Sequence, residues 1–269
     1  MDTVQVGDVR IAYRRAGTGP PLVLLHGASH DGRAWTPQLD ALSDELTVVA
    51  WDEPGAGGSS DLLPGFELVD YARCLAAVIE SLGLGPAHVG GLSWGGTVAL
   101  ELYRHHPALV ATLVLADTYA GWAGSLSAEE VQARLAGVRR MVAVPPEEFD
   151  PTLPGLFAGD PPADVAPLLS AMDASARPAT LGAQLELMAR ADLRAQLPDV
   201  AVPTLLIWGE LDARSPLAVA RQLERAIPDT ELVVIEGVGH VSNLQAPEQF
   251  NAAVRAFCRA HAATSGDPG

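Results

Sequence analysis

The spacing of apolar positions divides this chain into segments. Near its start, Val4-Gln5-Val6 and Arg10-Ile11-Ala12-Tyr13-Arg14 alternate and are broken at Gly7-Asp8, which predicts an antiparallel hairpin. Six apolar runs follow, at 22–26, 46–51, 87–89, 112–116, 203–208 and 231–235. Continuous runs of this kind mark strands covered on both faces, as in parallel sheets. Between them the spacing becomes helical. Residues 68–82 carry apolar side chains at Leu68, Tyr71, Leu75, Val78, Ile79 and Leu82, and 217–227 and 247–261 behave alike. Strands alternating with helices predict an α/β fold: a mostly parallel twisted sheet of about eight strands with helices on both faces.

The rhythm breaks once. Between 119 and 197 no buried-strand run occurs, and helical stretches at 128–142, 163–174 and 181–195 are separated by Pro-rich turns. This segment reads as a helical cap, 119–197, inserted into a core domain formed by 1–118 and 198–263. The small, polar residues 264–269 read as a flexible tail.

Composition narrows the chemistry. The 269 residues are 48% hydrophobic, enough for a sizeable core, and the formal charge is -16. That charge argues against nucleic acid or an anionic membrane as partner. All 17 basic residues are Arg. Without Lys, no Schiff base, pyridoxal-phosphate lysine or P-loop lysine can form. Cys74 and Cys258 stand apart from any metal-ligand spacing, so neither a metal nor an organic cofactor is expected. No signal peptide or spanning segment is read. The expectation is a cytoplasmic protein whose partner is a small-molecule substrate, with monomer and homodimer both open.

The most informative motif is Gly91-Leu92-Ser93-Trp94-Gly95, between a predicted strand and a predicted helix. G-x-S-x-G at such a junction is a nucleophile elbow, a tight turn that holds its serine in strained backbone geometry and exposes the hydroxyl. An incidental serine in a Gly-rich turn is the competing reading. A serine hydroxyl needs a general base held by a carboxylate. Of the seven His, His240 follows the last apolar strand, at the sheet edge to which Ser93 belongs. Asp212 follows the preceding strand at the same edge, and Asp117, after the run 112–116, competes with it as the acid. His26 reads as a loop brace, His88 as a core residue, and His105, His106 and His261 as helix-end residues. An oxyanion hole needs two converging N–H groups. Placement nominates Trp94 for one and Ala28, with Gly27 second, for the other.

The motifs together resemble the α/β-hydrolase fold superfamily, in its serine-nucleophile branch. His26-Gly27, Trp35, the turn Asp52 to Ser59, the elbow, Gly209-Glu210-Leu211-Asp212 and Gly237-Val238-Gly239-His240 carry the resemblance. It spans nearly the whole chain outside the cap. It implies Ser93 as nucleophile, His240 as base, Asp212 as orienting acid, and a structural role for 52–59. The elbow sequence is similar to 3-oxoadipate-type enol-lactonases, small carboxylesterases, carbon–carbon bond hydrolases of meta-cleavage products and cofactor-free haloperoxidases. The resemblance implies a serine hydrolase of an ester or lactone, acting through an acyl-enzyme. The alternatives are carbon–carbon bond hydrolysis of a diketone, and a non-catalytic small-molecule binder on the same fold.

The cap carries the substrate preference and is the hardest segment to read. Substrate-binding candidates on core loops are Gly27, His30 and Val241; in the cap they are Trp122, Phe149, Phe157 and Met188. The cap residues compete with a role in the cap's own core. Arg139 and Arg140 are candidates to pair with a substrate carboxylate or to lie on a solvated helix face.

Overall fold

The computed structural model describes residues 1–262; the segment read as a flexible tail, 264–269, lies outside them. Eight strands form one sheet in the order β1-β2-β4-β3-β5-β6-β7-β8. They are β1 (Asp2–Val6), β2 (Val9–Ala16), β3 (Pro21–Leu25), β4 (Thr47–Asp52), β5 (Ala87–Leu92), β6 (Val110–Ala116), β7 (Thr204–Gly209) and β8 (Thr230–Ile235). The alternating start is an antiparallel hairpin, β1 with β2, and β2 also runs antiparallel to β4. All other pairings are parallel.

Nine helices accompany the strands among the described residues: α1 (Thr36–Leu42), α2 (Leu68–Ser81), α3 (Trp94–His105), α4 (Ala128–Val142), α5 (Ala166–Asp173), α6 (Pro178–Arg190), α7 (Leu217–Ala226), α8 (Ser242–Gln245) and α9 (Pro247–Ala260). The side-chain period of two splits each central strand between two apolar layers. Val23, Leu25, Val49, Val89, Leu113 and Leu206 face one layer, with α2, α3 and α7. Leu22, Leu24, Val48, Leu92, Val114 and Leu205 face the other, with α1 and α9. Burial on both faces explains why these strands read as unbroken apolar runs.

Helices α4, α5 and α6 fill the interval between β6 and β7. A reciprocal capping box starts α4: Ser127 accepts from Glu130 N–H, and the Glu130 carboxylate accepts from Ser127 N–H. Three boundaries in this segment differ from the sequence expectation, the first being the start of its second helix at Ala166 rather than 163. The third helix of this segment begins at Pro178 rather than 181, because proline at the first helical position gives up no needed N–H. It ends at Arg190, where Ala191 turns extended, and a 3-10 turn over Arg194–Asp199 replaces the expected helical end. The short α1 has no counterpart in the apolar pattern.

Candidate active site

The parallel strands end at one edge, and the chemistry gathers there. Between β5 and α3 stands Ser93, with φ +53° and ψ −115°. A non-glycine residue at positive φ costs about 1–3 kcal/mol and needs a surrounding structure that enforces it. Ser93 N–H donates to Ala116 O at 2.9 Å, and Thr118 Oγ1 donates to Ser93 O. The flanking glycines are required by close approach. A Cβ on Gly91 would lie 2.3 Å from Gly95 O, and one on Gly95 would lie 2.2 Å from Leu25 O.

The loop after β8 delivers His240, and the loop after β7 delivers Asp212. His240 Nε2 lies 2.8 Å from Ser93 Oγ, and His240 Nδ1 lies 2.8 Å from Asp212 Oδ2. The other Asp212 oxygen accepts the N–H groups of Arg214 and Ser215, both at 2.8 Å, which fixes the carboxylate plane. The two loops pack so closely that a Cβ on Gly209 would lie 2.1 Å from Gly239 O. Burial holds the His240 pKa below its ordinary 6.5, with repulsion from Arg214 and Arg134 assisting and Asp212 opposing. The imidazole is therefore neutral at neutral pH, as a proton acceptor must be.

Asp117, the competing acid, is placed differently. Its carboxyl accepts from Gly209 N–H at 2.8 Å and meets Ser242 Oγ at 2.5 Å; it is not bonded to His240. Burial, reinforced by the nearby Asp212 charge, raises its pKa well above the ordinary carboxyl value. Asp117 thus braces the β7 loop against α8.

Two backbone N–H groups beside the nucleophile have no protein acceptor among the described residues. One is Trp94 N–H, in the first turn of α3; the other is Ala28 N–H, in the loop after β3. A Cβ on Gly27 would stand 3.7 Å from Ser93 Cβ, so this loop lies against the elbow. His26 braces it from behind by accepting Glu53 N–H at 3.2 Å. Asp52 ties the neighbouring turn, accepting from Gly32 N–H at 2.8 Å and Gly58 N–H at 2.7 Å. Sequence reasoning missed Glu53. It is fully buried, receives the Trp94 indole N–H at 2.6 Å and the Gln184 amide, and burial raises its pKa to about 7. An acidic residue inside an otherwise apolar and Gly-rich stretch was the available signal.

The space over Ser93 is nearly closed, about 10 Å³. Of the nominated residues, Gly27, His30, Trp122, Met188 and Val241 line it, together with Leu153, Leu156, Leu185 and Arg214. Two expected residues do not. Phe149 follows the 3-10 turn after α4 and packs, partly buried, on the apolar cluster that runs from α2 and α3 into α4 and α6. Phe157 packs on the opposite layer and lines an adjoining cavity of about 250 Å³ that shares His30, Leu153 and Leu156 with the Ser93 space. His30 is 6% exposed, its Nδ1 has no partner among the described residues, and burial lowers its pKa to about 4. Arg139 lies on an exposed helix face and pairs with Glu186 at 3.2 Å.

A family model described as the alpha/beta hydrolase fold matches residues 20–247. The chain belongs to the alpha/beta hydrolase fold family. It is similar to the pimeloyl-acyl-carrier-protein methyl ester esterase of Vibrio atlanticus, 30% identical over 255 residues that cover 91% of this chain and 96% of that one. Among solved structures, this hydrolase superposes on a thermophilic esterase from Thermogutta terrifontis with a TM-score of 0.83, at 29% identity over 97% of this chain and 99% of that one. The enol-lactonase of Burkholderia xenovorans gives the same TM-score at 25% identity, covering 96% and 100%. Relatives and neighbours named as esterases and as an enol-lactonase support an ester-acting hydrolase.

Proposed function

We propose that the protein is a serine hydrolase that cleaves an ester or lactone of a small to medium organic substrate by acyl transfer. The observation that carries this reading is the unbroken line Ser93 Oγ, His240 Nε2, His240 Nδ1, Asp212 Oδ2, with 2.8 Å at both hydrogen bonds. Ser93 Oγ attacks the carbonyl carbon while His240 Nε2 takes its proton. The tetrahedral oxyanion is held by the N–H group of Ala28, in the loop after β3, and by that of Trp94 at the start of α3, where the helix dipole also favours negative charge. Protonated His240 gives its proton to the leaving oxygen, and the C–O bond breaks. His240 then takes a proton from water, hydroxide adds to the acyl-enzyme, and the acid departs as Ser93 Oγ regains its proton. Every step uses groups of this chain and water.

In this reading residues 119–197 form a cap over a core made of 1–118 and 198–263, and the cap closes the space above Ser93. Ser93→Ala tests the proposal. The variant keeps the wild-type thermal midpoint within a few degrees and loses short p-nitrophenyl ester turnover by about a thousandfold or more. Unaltered turnover would remove the serine mechanism.

A further inference from the structure

A second cavity, about 330 Å³, adjoins the space over Ser93 and shares Trp122, Leu153, Leu185 and Arg214 with it. Its remaining walls are largely apolar, including Val138 and Met141, and none of its lining residues is acidic. Two guanidinium groups line it, Arg134 from α4 and Arg214 from the loop after β7. Neither has a carboxylate partner among the described residues. Arg134 donates to Tyr119 Oη at 2.9 Å and to Arg214 O at 2.7 Å, and lies 5.3 Å from the centre of the Trp122 ring. Arg214 spends one Nη on Pro154 O at 3.0 Å, and its other side-chain donors have no acceptor among the described residues. Trp122 Nε1, buried in the shared wall, has no partner among them either.

Arg214 therefore brings guanidinium donors without acceptors to this cavity, beside the charge of Arg134. Two like charges are brought together in a half-buried place with no carboxylate hydrogen-bonded to either among the described residues, a cost in free energy that a bound anion would offset. Asp212 attracts Arg214 through space, but its own oxygens are taken by His240 and by backbone N–H groups. The whole molecule carries a formal charge of -16, so its long-range field repels anions. A local cationic pocket beside the nucleophile runs against that background.

We infer that the Arg134–Arg214 cavity is a carboxylate subsite, and that the substrate is an ester or lactone carrying a free carboxylate on a short aliphatic arm. The inference rests on the serine-hydrolase reading above. Guanidinium donors suit the charged end, and the apolar walls suit the arm.

The test compares hydrolysis of p-nitrophenyl hemiesters of succinic, glutaric and adipic acids with the neutral butyrate, valerate and hexanoate esters. Plain alkyl esters are compared in the same way with esters whose alcohol part bears a carboxylate. At least one charged substrate is preferred over its neutral counterpart in kcat/KM by about tenfold or more. That preference falls at least about tenfold in Arg214→Gln and at raised salt. Inhibition of the wild type guards against a variant that fails to fold: glutarate or adipate competes with a neutral ester more tightly than valerate or hexanoate does. Neutral substrates preferred throughout, with no stronger inhibition by the dicarboxylates, would overturn the subsite. If Ser93→Ala also leaves turnover intact, the serine reading falls with it. If that variant is inactive, only the subsite falls.

Discussion

At the scale of single residues, the site works through opposed electrostatic demands on His240. Desolvation favours the neutral ring that accepts the serine proton, while Asp212 favours the charged ring that forms once the proton has moved. The sign for activity follows. Below its pKa the ring is protonated and cannot act as base, so kcat/KM falls on the acid side. Because the folded pKa lies below 6.5, the acid limb of the pH profile has its midpoint below 6.5. Arg214→Gln removes a repelling charge and moves that midpoint upward; a downward movement would contradict the assigned cause. Not every residue here was legible in the sequence. Ser93, Asp212 and His240 each sit in a Gly-marked turn at a strand end, and the structure brings those three within hydrogen-bond distance. Arg214 carries no such mark, since two residues after an acid it reads as an ordinary loop arginine. Its role depends on a wall shared by two cavities, a property of the tertiary arrangement.

The elements are organised by how closely the elbow must pack. Ser93 can occupy positive φ because α3 leaves β5 at so short a distance that Gly91 and Gly95 have no room for a Cβ. Gly95→Ala pushes α3 away from the end of β3, where the first turn of the helix meets Leu25 and His26 carbonyls. The expected loss is about 1–3 kcal/mol in urea unfolding, with kcat falling because Ser93 moves against His240. An unchanged midpoint and unchanged kcat would show that the elbow tolerates looser packing. The strands were readable because each central one is covered on both faces, which leaves an unbroken apolar run. The short α1 was not: with few turns and one flank in a 3-10 turn over Gly32–Trp35, it offers too little periodicity. The shift of α6 to Pro178 has the same origin, since a proline marks a boundary without saying on which side the helix lies.

Across the whole molecule, the parallel strand order is what gathers the chemistry. Loops after β3, β5, β7 and β8 open at the same edge, so residues far apart in sequence, Ala28, Ser93, Asp212 and His240, meet at one point. Helices α4 to α6 and the connections around them supply Trp122, Leu153, Leu185 and Met188 above that point. The apolar pattern read that interval as helical, but which faces turn to the core and which to the cavities depends on packing between helices, and Phe149 shows the difference. The central claim is that Ser93 forms a covalent acyl intermediate. Its most direct measurement is peptide mapping by mass spectrometry after the enzyme has been trapped with a fluorophosphonate or a slowly deacylating p-nitrophenyl ester. The account predicts one adduct per chain, on the peptide containing Ser93, formed far more slowly in His240→Ala. Ester turnover with no adduct on that peptide, or with the label on another residue, would contradict it.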